Sequence, residues 1–338
     1  YDPFYFHMFS LLLHIGCVCL VWKLISSLLR VHGGVSEKQI LYVNFITTLL
    51  FAVHPINVEA VAWISALKVL LYAFFYLLGL LCYLRYIRTS KIFYYVLTIG
   101  CFLCSFWGKE QAVTFPLALL IVDWFTNRNM KNLEVWSEKM SFLIMAFFFG
   151  IITVLSQGKG PYEMIFPLYQ RLLFGCFALV EYITKSLLPV NLNFFYPFPI
   201  VLGEEPPLHY YLYPVVLLFL MGWIIAYRNN RYLVFGVLLF LVNLLFSIHL
   251  FNMSRHAIVA DRYMYLSYVG IAFLIANGIW WLRKRLSYFK AALVFLFFYC
   301  FFLSVYTFHY TKKWENTTMV KKYTKEVLEK RLNGSNHL

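Results

Sequence analysis

The sequence predicts an all-α fold: a polytopic transmembrane helical bundle of about ten spans plus one re-entrant or interfacial segment. Three observations predict it. Hydrophobic residues make up 62% of the 338-residue chain, charged residues only 13%, and the mean hydropathy is +0.71. A soluble domain is nearer half apolar and a quarter charged. Apolar runs recur along nearly the whole length, where a transmembrane barrel would show short alternating segments. Most Lys and Arg lie in short links between those runs. The formal net charge of +14 therefore reads as a topology signal and not as a nucleic-acid footprint.

The spans follow in order. The first covers residues 5–29 and stops at Arg30; the second, 40–53, leads into His54. The third covers 69–87 and ends among Arg85, Arg88 and Lys91. The fourth and fifth, 92–107 and 112–125, bend at Lys109 and Glu110; the sixth is 140–155. Residues 171–188 are apolar but carry Glu181 and Lys185, and they lead into Pro189-Val-Asn-Leu-Asn-Phe-Phe-Tyr-Pro-Phe-Pro199. Spans at 212–227, 232–250, 266–282 and 291–308 complete the array. Several runs fall short of the ~20 residues that cross hydrocarbon, so they must borrow flanking residues or thin the bilayer. A membrane domain over 1–310 is thus followed by an external juxtamembrane helix over 311–338. That tail is Lys-rich, with Trp314, Met319, Tyr323, Val327 and Leu328 at roughly helical spacing. The chain opens at Tyr1-Asp-Pro-Phe without an initiator Met, so a longer protein is expected.

Charge orients the bundle. Arg30 and Lys38; Arg85, Arg88 and Lys91; Arg128, Lys131 and Lys139; Arg228 and Arg231; and Arg283, Lys284, Arg285 and Lys290 fall on alternate links, which are expected to be cytoplasmic. Three polar islands then fall on the external face: residues 54–68, 107–111 and 254–265. If 171–188 crossed fully, every later link would change sides. That segment is expected to re-enter or lie along the external interface, with the 189–199 loop roofing a cavity. The seven cysteines sit almost entirely inside apolar runs and read as packing residues, the Cys101/Cys104 pair included. Neither HExxH nor an acidic metal cluster occurs, so no metal or other cofactor is expected.

Each island has a plain reading beside a functional one. Lys109 and Glu110 are either an adjacent pair at the water boundary, or a cation holding an anionic ligand and an acid positioning it. His54-Pro55 suits a helix start, and Glu59 in the first turns is favourable there regardless. Asp261-Arg262 is either a local ion pair, or a phosphate grip beside an apolar chain, supported by Tyr263 and Tyr265. His7 and His14, on one face of the first span, read as packing residues.

The stretches His54-Pro-Ile-Asn-Val-Glu-Ala-Val-Ala-Trp-Ile-Ser-Ala-Leu-Lys68, Gly108-Lys-Glu-Gln-Ala-Val-Thr-Phe-Pro116 with Asp123-Trp, Pro189-Val-Asn-Leu-Asn-Phe-Phe-Tyr-Pro197 and Ala260-Asp-Arg-Tyr-Met-Tyr-Leu266 occur in this order. Together they resemble the membrane half of the transmembrane and tetratricopeptide-repeat O-mannosyltransferases and their bacterial relatives. Tyr1-Asp-Pro-Phe-Tyr-Phe-His7 through His14 resembles that family's second span. The resemblance implies a GT-C glycosyltransferase fold and a polyprenyl-phosphate sugar donor, usually of mannose. It implies an acceptor, a protein hydroxyl or glycan, on the external face. It places the general base, an acidic residue of the first external loop, upstream of Tyr1, and Asp2 beyond that position. It also implies repeats downstream.

On that resemblance, Lys109 and Arg262 hold the donor phosphate, and His54, Glu59, Glu110 and Asp261 orient the sugar or those cations. Lys68 and Tyr263 complete the expected binding set. Where relatives often read Ser-Glu-Arg-Lys-Asp, this chain reads Ser65-Ala-Leu-Lys-Val69, keeping only Lys68. That departure supports an alternative: a non-catalytic membrane subunit binding a lipid or a partner protein on the same fold. A transporter is less favoured, because no two-half repetition with broken helices is visible. The wording around His54 resembles the bacterial relatives, so an inner membrane with a periplasmic site is expected. Sequons at Asn252, Asn316 and Asn333 would instead suit an endoplasmic reticulum membrane with a lumenal site.

Overall fold

A computed structural model describes residues 3–157, 166–248 and 257–335. The third span begins a run of closely spaced helices, but the order starts with α1 (Pro3–His32) and α2 (Glu37–Val53). The Ser36 hydroxyl caps α2 by accepting from the Gln39 N–H at 3.2 Å. Pro55 ends α2, and the chain bends by 51° into a short helix, α3 (Val58–Ala62). Then come α4 (Leu67–Thr89), α5 (Ile92–Gly108), α6 (Phe115–Phe125), α7 (Leu133–Gln157) and α8 (Leu168–Leu187). After an irregular loop follow α9 (Leu212–Ala226), α10 (Arg231–Leu244), α11 (Met264–Leu282), α12 (Leu286–Lys312) and α13 (Thr317–Ser335). Among the described residues the only β-type pairing is one isolated bridge, Tyr196 to Val259. The fold is the expected all-α bundle.

Among the described residues six helices are long and apolar enough to cross a membrane, and α2 with the turns after it makes a bent seventh. Helices α5 and α10 are apolar but shorter, and α10 ends at Leu244, before the expected limit at 250. The bundle has an inside and an outside. In α11, 61% of the apolar window is buried, against 17% in α12 and 6% in α9, so α11 is central and the other two are peripheral. Their outer faces expose Phe219, Phe295, Phe297, Phe298 and Phe301. Aromatic surface of that extent is untenable in water and ordinary in lipid. Close contact at the centre depends on small residues: a Cβ on Gly270 would lie 2.5 Å from the Gly236 carbonyl oxygen, so α10 and α11 touch backbone to backbone.

The basic links gather at one end. His32 stacks on Phe125 at 4.5 Å, the Asn127 amide donates to the His32 carbonyl at 3.2 Å, and Arg231 donates to the Trp124 carbonyl at 3.1 Å. Not all of those cations lie in solvent. Lys139 was read as a link charge, but it is fully buried and paired with Asp123, itself fully buried. Arg128 pairs with Glu138 at 2.6 Å and Asp123 at 3.2 Å, and the Tyr83 hydroxyl donates to Asp123 at 2.7 Å. Counter-charges on α6 and α7 make this burial tolerable, since an ion pair at depth persists only when its remaining polar atoms are also bonded.

Helix α8 makes contacts with the island end of the bundle. Its partners are Glu204 at Gln170, Ala260 at Tyr182 and Asp261 at Lys185. All three lie at the end opposite the basic links, while the Leu187 carbonyl at the close of α8 accepts from Tyr299 in the middle of α12 at 2.8 Å. Arg171, Glu181 and Lys185 keep it from being apolar enough to span.

Candidate functional site

The end opposite the basic links collects the polar islands. Each is presented by a helix break. Ala260 is extended (φ −148°, ψ 127°), and residues 261–263 form one tight turn ahead of α11. Tyr196 pins the approach by accepting from the Ile258 N–H at 2.9 Å through its carbonyl. Adjacent side chains on that turn then diverge. Asp261 accepts from Lys185 of α8 at 3.1 Å and from the Tyr196 hydroxyl at 3.0 and 2.9 Å. Arg262 reaches α3: its guanidinium donates to Glu59 at 2.5 Å and its backbone N–H donates to the other carboxylate oxygen at 2.7 Å. Asp261 and Arg262 are therefore not a local ion pair. They are two anchors that tie the third island to α8 and to the first island.

Glu59 and Asp261 are both fully buried, whereas the Arg262 side chain keeps 21% of its surface exposed. Arg262 also lies against Trp63 and Tyr263, at 5.2 Å from each ring centroid. The second island joins through the same tyrosine: the Lys109 ammonium is 4.4 Å from the Tyr263 centroid. Lys109 is placed by the break between α5 and α6, where its backbone is extended (φ −159°). Gly108 allows that break to sit on α4, because a Cβ there would come within 2.6 Å of the Tyr72 nitrogen. The result is two cations flanking one aromatic ring.

The other expected residues are placed differently. Glu110 is half-buried and lines a groove of about 860 Å³ with Leu117 of α6, Leu143, Ala146, Phe147 and Gly150 of α7, and Phe246. Among the described residues lining the groove it is the only charged one. His54 is buried behind the ion pairs: its Nδ1 accepts from the Ile56 N–H at 3.2 Å and its ring meets Tyr268 at 4.2 Å. His54 thus caps the helical turn that begins at Pro55. Lys68 is exposed on the first turn of α4. Its backbone carbonyl lies against Gly108, but no contact joins its ammonium to the other expected groups. His14 is a packing residue, with Nδ1 2.7 Å from the Tyr265 hydroxyl. Residues 254–256 and the sequon residue Asn252 lie outside the described residues.

Three residues were missed by sequence reasoning: Lys185, Tyr196 and Trp63. Lys185 had a signal, being a charge in an otherwise apolar run. Tyr196 had none, since nothing in the 189–199 loop pointed toward Asp261. The loop does cover the site, but over paired side chains: Tyr196 meets Asp261, and Phe194 meets Trp63 at 5.1 Å.

Fold and site together define a multi-pass helical membrane protein with a charged, loop-covered cluster at one end of the bundle. By sequence it is similar to protein O-mannosyl-transferases of the TMTC type. Protein O-mannosyl-transferase TMTC2 of Homo sapiens is 33% identical over 141 residues, covering 40% of this chain and 16% of that protein. Protein O-mannosyl-transferase Tmtc3 of Drosophila melanogaster is 28% identical over 153 residues, covering 40% of this chain and 16% of that protein. Protein O-mannosyl-transferase TMTC1 of Homo sapiens is 29% identical over 142 residues. The chain thus spans a small part of the length of these relatives. No family model and no solved structure matches it.

Proposed function

We propose that this chain is the membrane half of a glycosyltransferase of GT-C type. It transfers a sugar, mannose first among the candidates, from a polyprenyl-phosphate donor to a protein Ser/Thr hydroxyl or another acceptor. The observation that carries this reading is the pair of cations, Lys109 and Arg262, on one tyrosine ring, with Glu110, the residue after Lys109, lining an apolar groove. A phosphate next to a long hydrocarbon needs that combination: fixed positive charge at the head and apolar surface for the tail. The names of the similar proteins support it.

In this reaction the acceptor oxygen attacks the anomeric carbon, and the bond from that carbon to the donor phosphate oxygen breaks. Negative charge grows on the departing lipid phosphate. Lys109 and Arg262 stabilise it there, in a site where charge is poorly screened. Glu59 holds Arg262 from behind. Asp261, through Lys185 and Tyr196, fixes the turn that presents it. His54 supports α3, and Lys68 lies at the rim. The hydroxyl proton goes to an acidic residue of the loop that the resemblance places upstream of Tyr1. We read residues 1–310 as the transmembrane domain and 311–338 as an external juxtamembrane helix. The site faces away from the cytoplasm, into a bacterial periplasm or, alternatively, an endoplasmic reticulum lumen. Transfer of radiolabelled mannose from polyprenyl phosphate by the full-length protein tests the reading. R262A and K109A should each abolish transfer while the protein stays folded, and wild-type rates in both would remove these residues from the reaction.

A second reading is a non-catalytic subunit that binds a lipid on the same fold. It is favoured by Ala66, Leu67 and Val69, which put apolar groups beside Lys68 at the start of α4. Lipid binding without transfer in the full-length protein would establish it.

A further inference from the structure

A second, smaller apolar core lies apart from that of the bundle. Val58, Leu192, Tyr310 and Trp314 are buried in it, with Trp63, Phe194 and Tyr323 packed around them. Four separate parts of the chain meet there: α3 and the turn after it, the loop before α9, the end of α12, and α13. The rings form a continuous series. Trp63 meets Phe194 at 5.1 Å, Phe194 meets Trp314 at 6.0 Å, Trp314 meets Tyr310 at 6.2 Å, and Tyr310 meets Tyr323 at 6.1 Å. Lys313 closes the far end, with its ammonium 3.4 Å from the Tyr323 centroid.

The near end of the series is the site. Trp63 lies against the Arg262 guanidinium at 5.2 Å. Val58 precedes Glu59, the acid that pairs with Arg262. Lys321, Lys322 and Lys325 of α13 are exposed. Among its described side chains, Val320 and Tyr323 pack it onto this core.

We infer that α13, anchored through Trp314, is a positioning element for Arg262. Glu59 fixes one edge of the guanidinium, and Trp63 fixes the plane in which its remaining N–H groups point. Trp63 in turn is held by Phe194 and Trp314. A load on α13 would therefore turn the cation without touching it. The inference deepens the phosphate-binding reading of the same site and rests on it.

The test uses the full-length protein in detergent, with farnesyl phosphate as the probe for binding by thermophoresis. W314A should weaken binding about tenfold, the scale of an ordinary coupling between packed groups. W314F, which keeps a ring, should stay within about threefold. Binding lost in R262A but unchanged in W314A would overturn the inference. Wild-type binding in R262A would instead overturn the phosphate reading. A readout independent of that reading is the thermal stability of W63A, W314A and the double variant. The double variant should lose less than the sum of the singles, and strict additivity would overturn the inference even where binding changes.

Discussion

Arg262 is tied to Glu59 twice, by its guanidinium at 2.5 Å and by its own backbone N–H at 2.7 Å. The carboxylate is fully buried and the guanidinium is not. The acid thus sets both the backbone turn and the direction of the cation, and leaves part of the cation open to a ligand.

Removing Glu59 should therefore act on fold and site together. E59A leaves a half-buried guanidinium without its counter-charge, and a loss of roughly 3–5 kcal/mol is expected for a broken buried pair. E59Q keeps the shape and loses the charge. It should retain more stability than E59A yet lose phosphate binding, because Arg262 is no longer oriented. Thermal unfolding and farnesyl phosphate titration on the same preparations separate the two effects.

Asp261 faces Lys185 at 3.1 Å, with both side chains almost fully buried. D261N should destabilise the protein strongly, since Lys185 keeps its charge at depth. K185M/D261N replaces both charges and should recover much of that loss, because a buried pair is often no better than its neutral replacement. A double variant as unstable as D261N alone would show that the pair does more than compensate charge.

The groove at Glu110 offers a steric test. Gly150 lines it, and a Cβ added there meets no atom within 4 Å. G150W should fold normally and fill the groove. Its KM for a long-chain polyprenyl-phosphate donor should rise about tenfold with kcat little changed, the signature of lost binding common to ground and transition states. An unchanged KM would place the lipid tail elsewhere.

The contact between α10 and α11 is a control remote from the chemistry. G270A puts a methyl group 2.5 Å from the Gly236 carbonyl oxygen. Backbone cannot yield as a side chain can, so a loss of about 1–3 kcal/mol is expected. Phosphate affinity should be unchanged once the protein is folded.

Sidedness can be read from exposed positions. Lys68 and Trp107 lie at the island end and Arg88 at the basic end, and all three are exposed. Cysteines introduced at 68 and 107 should react with an impermeant maleimide from one side of the membrane, and a cysteine at 88 from the other. Labelling of all three from the same side would break the bundle's proposed orientation.

The class of protein, the approximate spans and the gathering of basic links were legible in the amino-acid order. Those features depend on local apolarity and on charge summed over short windows, and both are properties of the chain itself. Which polar residues are partners was not legible. Asp261 and Arg262 are neighbours in sequence, yet they bond to α8 and α3, 76 and 203 residues away. Lys139 looked like a link charge and is buried, because Asp123, sixteen positions earlier on another helix, lies opposite it. His54 is buried, and its ring caps the turn after α2 by accepting from the Ile56 N–H. Pairing of this kind is decided only when helices dock, since the favourable energy of an ion pair depends on distance and burial, neither of which a linear order of residues contains.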